Sequence, residues 1–144
     1  MNLTLEQAVE RLAYWQGVLR LLDWKIQVQI LPRYLIGDRV GATEWNDLRD
    51  ARISLLHWEE LNPSALENTD MEITLVHELL HLRFRDSVKG LIPDDSLHHD
   101  ALEAAIEAVA QALVEMDRER GKLYEQTREF ETDWLDRARD PDFQ

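Results

Sequence analysis

The chain contains no cysteine, which rules out a disulfide framework and any thiolate metal site and fits a reducing compartment. Glycine and proline are scarce, 5 and 4 in 144 residues, and there is no low-complexity tract or internal repeat. No apolar run approaches the roughly 18 residues of a membrane span. The opening stretch "MNLTLEQAVERLAYWQG" lacks the basic start and apolar core of a secretory signal. These absences predict a cytoplasmic protein with no membrane partner. Basic residues are also in deficit, 16 Lys and Arg against 29 Asp and Glu, for a net charge of -13. Such a surface repels phosphate backbones, and no Lys/Arg cluster offsets it, so no nucleic-acid partner is expected. The acidity reads as solvated helix faces.

What remains is an ordinary globular composition, 44% hydrophobic and 31% charged. That is enough for a core without staples, and one domain is expected over residues 1–140 with a frayed tail at 141–144. Thr4-x-x-Gln7 is a capping box, and Leu5, Ala8, Leu12, Trp15 and Leu19 follow at helical spacing, predicting a helix over about 4–22. "KIQVQIL" (25–31) alternates as a half-buried strand does. "RVGATEW" and "ARISLLH" add two strands joined by the turn-like "NDLRD". Asn62-Pro63 opens a loop. A second capping box, Thr69-x-x-Glu72, starts a helix over about 70–85, and "KGLIPDD" breaks it. An alanine-rich helix over about 96–118 follows, separated by Gly121 from a last helix with Leu123, Phe130 and Trp134 on one face. One helix, three strands and three further helices in that order predict an α+β fold.

The chemistry concentrates in "VHELLHL" (76–82). On a helical projection His81 falls about 40° and Glu78 about 100° from His77, while Leu82, Leu75, Leu79, Val76, Leu80, Ile73 and Phe84 fill nearly all the rest. The helix is therefore expected to be buried on most sides, with these three residues in its one polar sector. Histidines at i and i+4 can reach one zinc, and a glutamate beside them can take a proton from zinc-bound water without being a ligand. Five His and fifteen Glu generate such a motif by chance roughly once or twice in a hundred chains of this composition. The competing reading is a pair of partly buried, hydrogen-bonded histidines.

"VHELLHL" resembles the active-site helix of the zincin-like metallopeptidases, in which that helix follows a small mixed or antiparallel sheet. The resemblance implies zinc bound by His77 and His81, Glu78 as general base, and hydrolysis of peptide bonds in a peptide or protein substrate. It is specific over these residues and architectural over the rest of about 25–115. The metzincin continuation fails, since Phe84 and Ser87 stand where its glycine and third histidine belong.

A catalytic zinc takes a third protein ligand and keeps one open position. In "DSLHHDALEAAIEAVAQALVEM" the positions Leu102, Ile106, Val109, Leu113 and Met116 are expected to form the core arc. Glu103 then lies at its edge, in a row with His99 and Ala110, and Glu107 lies about 40° farther toward water. Glu103 is the expected ligand, which resembles the gluzincin branch in its small bacterial or phage-type form. A third histidine, His98 or His99, would instead resemble the SprT-like proteins, whose basic or cysteine-rich DNA-binding part is missing here. Otherwise His99 or Glu107 would support the ligands. For the oxyanion, Tyr124 and His99 are the available donors. Substrate is expected to add as a strand to an open sheet edge, with "ARISLLH" as that edge and His57 and Trp58 lining a pocket. The alternative of another class is a catalytically silent zinc-binding interaction module.

Overall fold

The structure, a computed structural model, describes residues 1–61, 70–90 and 97–140. Its contacts group the chain into two units, Met1–Gln111 and Ala112–Gln144. The first holds α1 (Leu5–Val18), β1 (Lys25–Leu31), α2 (Arg33–Ile36), β2 (Gly41–Trp45), β3 (Asp50–Leu56), a 3-10 turn (Trp58–Glu60), α3 (Met71–Val88) and the start of α4 (Leu97–Ala138). The class is α+β, as expected. Among the described residues no helix is long and apolar enough to cross a membrane.

Local signals explain most boundaries. Thr4 accepts from the Gln7 amide while its own N–H donates to the Gln7 side chain, closing the capping box. Ala8, Leu12 and Trp15 are buried beneath α1, whereas Leu5 is exposed. The helix stops at Val18, short of residue 22, because Arg20 takes a positive φ of 58° and the Gln16 amide donates to the carbonyls of Leu21 and Trp24. That turn delivers the chain to β1.

The sheet has the order β1-β3-β2, with β1 parallel and β2 antiparallel to β3. This corrects the placement of "ARISLLH" at an edge: β3 is the central strand. Ile53, Ser54, Leu55 and Leu56 are buried in succession, the mark of a strand covered on both sides rather than one. The free edge beside α3 belongs to β2. Strand register lines up Val28, Ile53 and Thr43 in one row and Ile30, Leu55 and Gly41 in the next, so Thr43 and Gly41 share the face that packs on α3. In the hairpin turn Asn46 Oδ1 accepts from the N–H groups of Leu48 and Asp50, and Asp47 receives Arg85 Nη2 of α3 at 2.9 Å.

α3 is capped by Asp70 rather than Thr69. The Asp70 carboxylate accepts from the N–H groups of Glu72 and Ile73, and Thr69 lies outside the described residues. Glu72 does not close a box, because it is buried and accepts from Arg11 Nε at 2.6 Å and Trp15 Nε1 at 2.9 Å. That bond pair ties α1 to α3. Every residue from Met71 to Leu82 is buried except His77 and His81. Gly90, with φ of 73°, follows the helix, while the loop at Asn62-Pro63 and most of "KGLIPDD" lie outside the described residues.

α4 corrects the expected break at Gly121, since one helix runs from Leu97 to Ala138 where two were expected. A single glycine costs a helix only about 1 kcal/mol relative to alanine, and no proline reinforces it. Its buried arc is also rotated. Ile106 and Ala110 are buried, whereas Val109 is 42% and Met116 69% exposed. The rotation carries Glu103 toward the middle of the covered face.

Candidate metal centre

The packing of α3 against the sheet and the approach of α4 bring together the residues of the polar sector. His77 and His81 stack as successive turns of α3, ring centroids 5.0 Å apart, and their Nε2 atoms are 3.2 Å from each other. Glu103 enters from α4, with one carboxylate oxygen 3.2 Å from His77 Nε2 and the other 3.1 Å from His81 Nε2. His77, His81 and Glu103 thus form a group that could hold a metal ion, each offering one donor atom, all within 4.8 Å of one another. The histidines are 15% and 23% exposed and Glu103 36%, so the donors face a wall on one side and open space on the other.

Glu107 is not the outward-facing residue that the projection suggested. Its Oε2 lies 2.7 Å from His77 Nδ1, and a proton on Nδ1 makes that a bond donated by the imidazole. Nε2 then keeps its lone pair for the space it shares with His81 and Glu103. Glu107 in turn receives Gln111 Nε2 on its other oxygen.

Glu78 is buried and held from β2. Thr43 Oγ1 donates to Glu78 Oε2 and lies 3.3 Å from the Glu78 carbonyl. Gly41 makes this approach possible, because a Cβ there would stand 2.6 Å from Thr74 Cγ2 and 2.8 Å from Glu78 Oε1. Burial pushes the Glu78 pKa above the ordinary carboxylate value. The Thr43 hydroxyl and the charges of His81 and His77 oppose that rise, and the negative charge of Glu103 adds to it. Thr43 and Gly41 carry no motif in the sequence. The one usable signal was a glycine in a strand, which marks a close backbone approach.

The other residues divide. His99, half-buried, lines the same cleft, while His98 is exposed. His57 does not line it: its Nδ1 accepts from the Glu59 N–H to cap the 3-10 turn, and its ring stacks on Trp58. Tyr124 belongs to the second unit and is 69% exposed. The cleft has a volume of about 790 Å³ and runs between β2 and the His/Glu faces of α3 and α4. Trp45 and Arg39 stand along its β2 side.

Strand pairing sets what that side presents. The Leu56 N–H donates to the Val40 carbonyl and the Asn46 N–H to the Asp50 carbonyl, so the even-numbered residues of β2 bond to β3. Gly41, Thr43 and Trp45 therefore turn their backbone N–H and C=O groups away from the sheet. No protein-family model, curated protein or solved structure matches the chain.

Proposed function

We propose that the chain is a zinc-dependent peptidase with a zincin-like site of the gluzincin kind, in which His77, His81 and Glu103 hold the metal and Glu78 is the general base. The observation that carries this reading is the spacing of the donors. The two Nε2 atoms stand 3.2 Å apart, close to the edge of about 3.3 Å of a tetrahedron built on 2.0–2.1 Å bonds, and each has one oxygen of the Glu103 carboxylate at 3.1–3.2 Å. Two imidazoles and a carboxylate are also a common donor set for a catalytic zinc.

Zinc held there would supply a Lewis acid and an acidified water. The chain's own groups supply the rest. Thr43 occupies Glu78 Oε2, leaving Oε1 to receive the proton of the attacking water and pass it to the leaving amine. Burial of Glu78 favours its taking up a proton, and the Thr43 hydroxyl favours its giving one back. Glu107 fixes the ring of His77. A substrate peptide adds as a fourth strand to the outward backbone groups of Gly41, Thr43 and Trp45, which aligns a carbonyl along the cleft. His99, on the cleft wall, would donate to the oxyanion.

A base also argues against a silent zinc module, because a structural site needs neither a buried carboxylate beside its ligands nor an open cleft. The test compares wild type with Glu78→Gln on a mixed peptide library, with zinc per chain measured in the same samples. About one zinc in both proteins and a loss of about 10²–10⁴ in cleavage rate for the variant is the expected result. Equal cleavage by the two proteins would sink the assignment of Glu78. One zinc with no cleavage by wild type would favour the silent module, and no zinc would end the reading.

A further inference from the structure

The second unit carries a feature the site does not use. Its portion of α4 is helical to Ala138, and every residue from Glu119 to Ala138 is exposed. Yet Leu113, Met116, Leu123, Phe130 and Trp134 recur at alternating three- and four-residue steps, with Arg120 and Thr127 filling the remaining positions of the seam. Met116, Leu123, Phe130 and Trp134, with the flanking Tyr124, are 56–71% exposed. The three aromatics expose on the order of 400 Å², and Met116 and Leu123 raise this to roughly 600 Å². With the polar flanks included, the face approaches the roughly 800 Å² per partner that stable complexes bury.

We infer that this seam is a dimer interface, occupied by the same helix of a second copy running antiparallel. Charge selects the occupant's direction. A parallel pair would set Arg120 against the same arginine of its partner inside the seam. An antiparallel pair with Arg120 opposite the partner's Leu123 avoids this and places Leu113 opposite the partner's Phe130 and Met116 opposite the partner's Thr127. In that register the flanking positions meet as Glu119 with the partner's Gln126 and Asp117 with the partner's Tyr124. No like charges face each other, although the chain is strongly acidic. Shifting the register by seven residues would bring Glu119 against the partner's Asp133 and Asp117 against the partner's Glu131, which opposes slippage.

Sedimentation velocity of the full chain between ~1 and ~100 µM tests the association. A concentration-dependent dimer is expected, and Leu123→Glu or Phe130→Glu should weaken it by roughly 100-fold or more by placing a charge in the seam. Both side chains are exposed in the single chain, so the variants should keep wild-type circular dichroism. A wild type that stays monomeric throughout, or a dimer that survives the double variant, overturns the interface. Because the chain has no cysteine, direction can be read with single introduced ones. Under oxidation, a mixture of Leu113→Cys and Phe130→Cys should cross-link while neither cross-links alone. Antiparallel helices hold two copies of residue 113 about 25 Å apart along the axis. Efficient self-cross-linking of each alone would mean a parallel pair and would overturn the register.

Discussion

The two helices that supply the candidate metal donors are held in opposite ways. α3 is buried from Met71 to Leu82 except at His77 and His81, with its back on α1, β2 and β3. The first part of α4 buries Ile106 and Ala110 and leaves Val109 42% exposed. Glu103 and Glu107 also reach the two histidines from it. On α3, then, packing fixes the ligands, and the histidines would stand where they do without a metal. On α4 the carboxylates reach the site from a helix that packing covers less. That difference can be broken from either side, and the largest effect lies on the packed one.

Leu79 is fully buried on the back of α3. Leu79→Ala should cost about 2–5 kcal/mol in denaturant unfolding, the usual range for a buried leucine whose surroundings cannot close in. Val109→Ala on α4 should stay within about 0.5 kcal/mol, as exposed substitutions do. Comparable losses at the two positions would mean that α4 is packed as tightly as α3, and the contrast would be gone.

The α4 carboxylates should show the reverse pattern. Glu107→Ala removes the partner of His77 Nδ1 and should weaken zinc binding by about 10–100-fold, with Glu103→Ala weaker still because a donor is lost. Competition against a chromophoric chelator measures both. The unfolding free energy of the chelated proteins should change little, since both side chains are about one-third exposed. A large loss of stability without metal would show that these carboxylates serve the fold first.

The contrast between the helices also decided what could be read beforehand. His77, Glu78 and His81 were legible because helical periodicity alone places them on one face of an otherwise apolar helix. Glu103 was legible as an edge residue of an amphipathic pattern. Glu107 was legible only as one possible supporting residue, set too far toward water, because the apolar positions of α4 fit two overlapping arcs, and the alanines, above all Ala110, do not say which is covered. The strands were found, but their order was not. Alternation reports one buried face, while β3 shows its central place only in the unbroken run from Ile53 to Leu56. Thr43 was invisible for a different reason. Its contact with Glu78 joins residues 35 apart in sequence, and neither helix nor strand periodicity carries such information. The break expected at Gly121 failed because one unfavourable residue does not outweigh the helix propensity on both sides of it.

The smallest effect is the most specific to the site, and it separates the two forces on Glu78. Burial raises its pKa above the unfolded value, while the Thr43 bond lowers it. A carboxyl with a raised pKa gives its full stabilisation below the unfolded pKa of about 4.3 and loses it as pH rises through the folded value. In chelated protein the buried carboxyl of Glu78 is therefore more of a burden near neutrality than near pH 4. Glu78→Gln should melt higher than wild type at neutral pH, by roughly 2–4 °C for each kcal/mol relieved, and the difference should vanish near pH 4. Thr43→Val keeps the shape of the side chain but removes the hydroxyl that favours the charged form. It should push the Glu78 pKa further up and move the acid limb of the proposed peptidase activity to higher pH. In chelated protein its melting deficit relative to wild type should grow from pH 4 to pH 7. A Thr43→Val protein whose deficit is the same at both pH values would mean that the hydroxyl does not act on the ionised carboxylate, and the β2 edge would then position substrate alone.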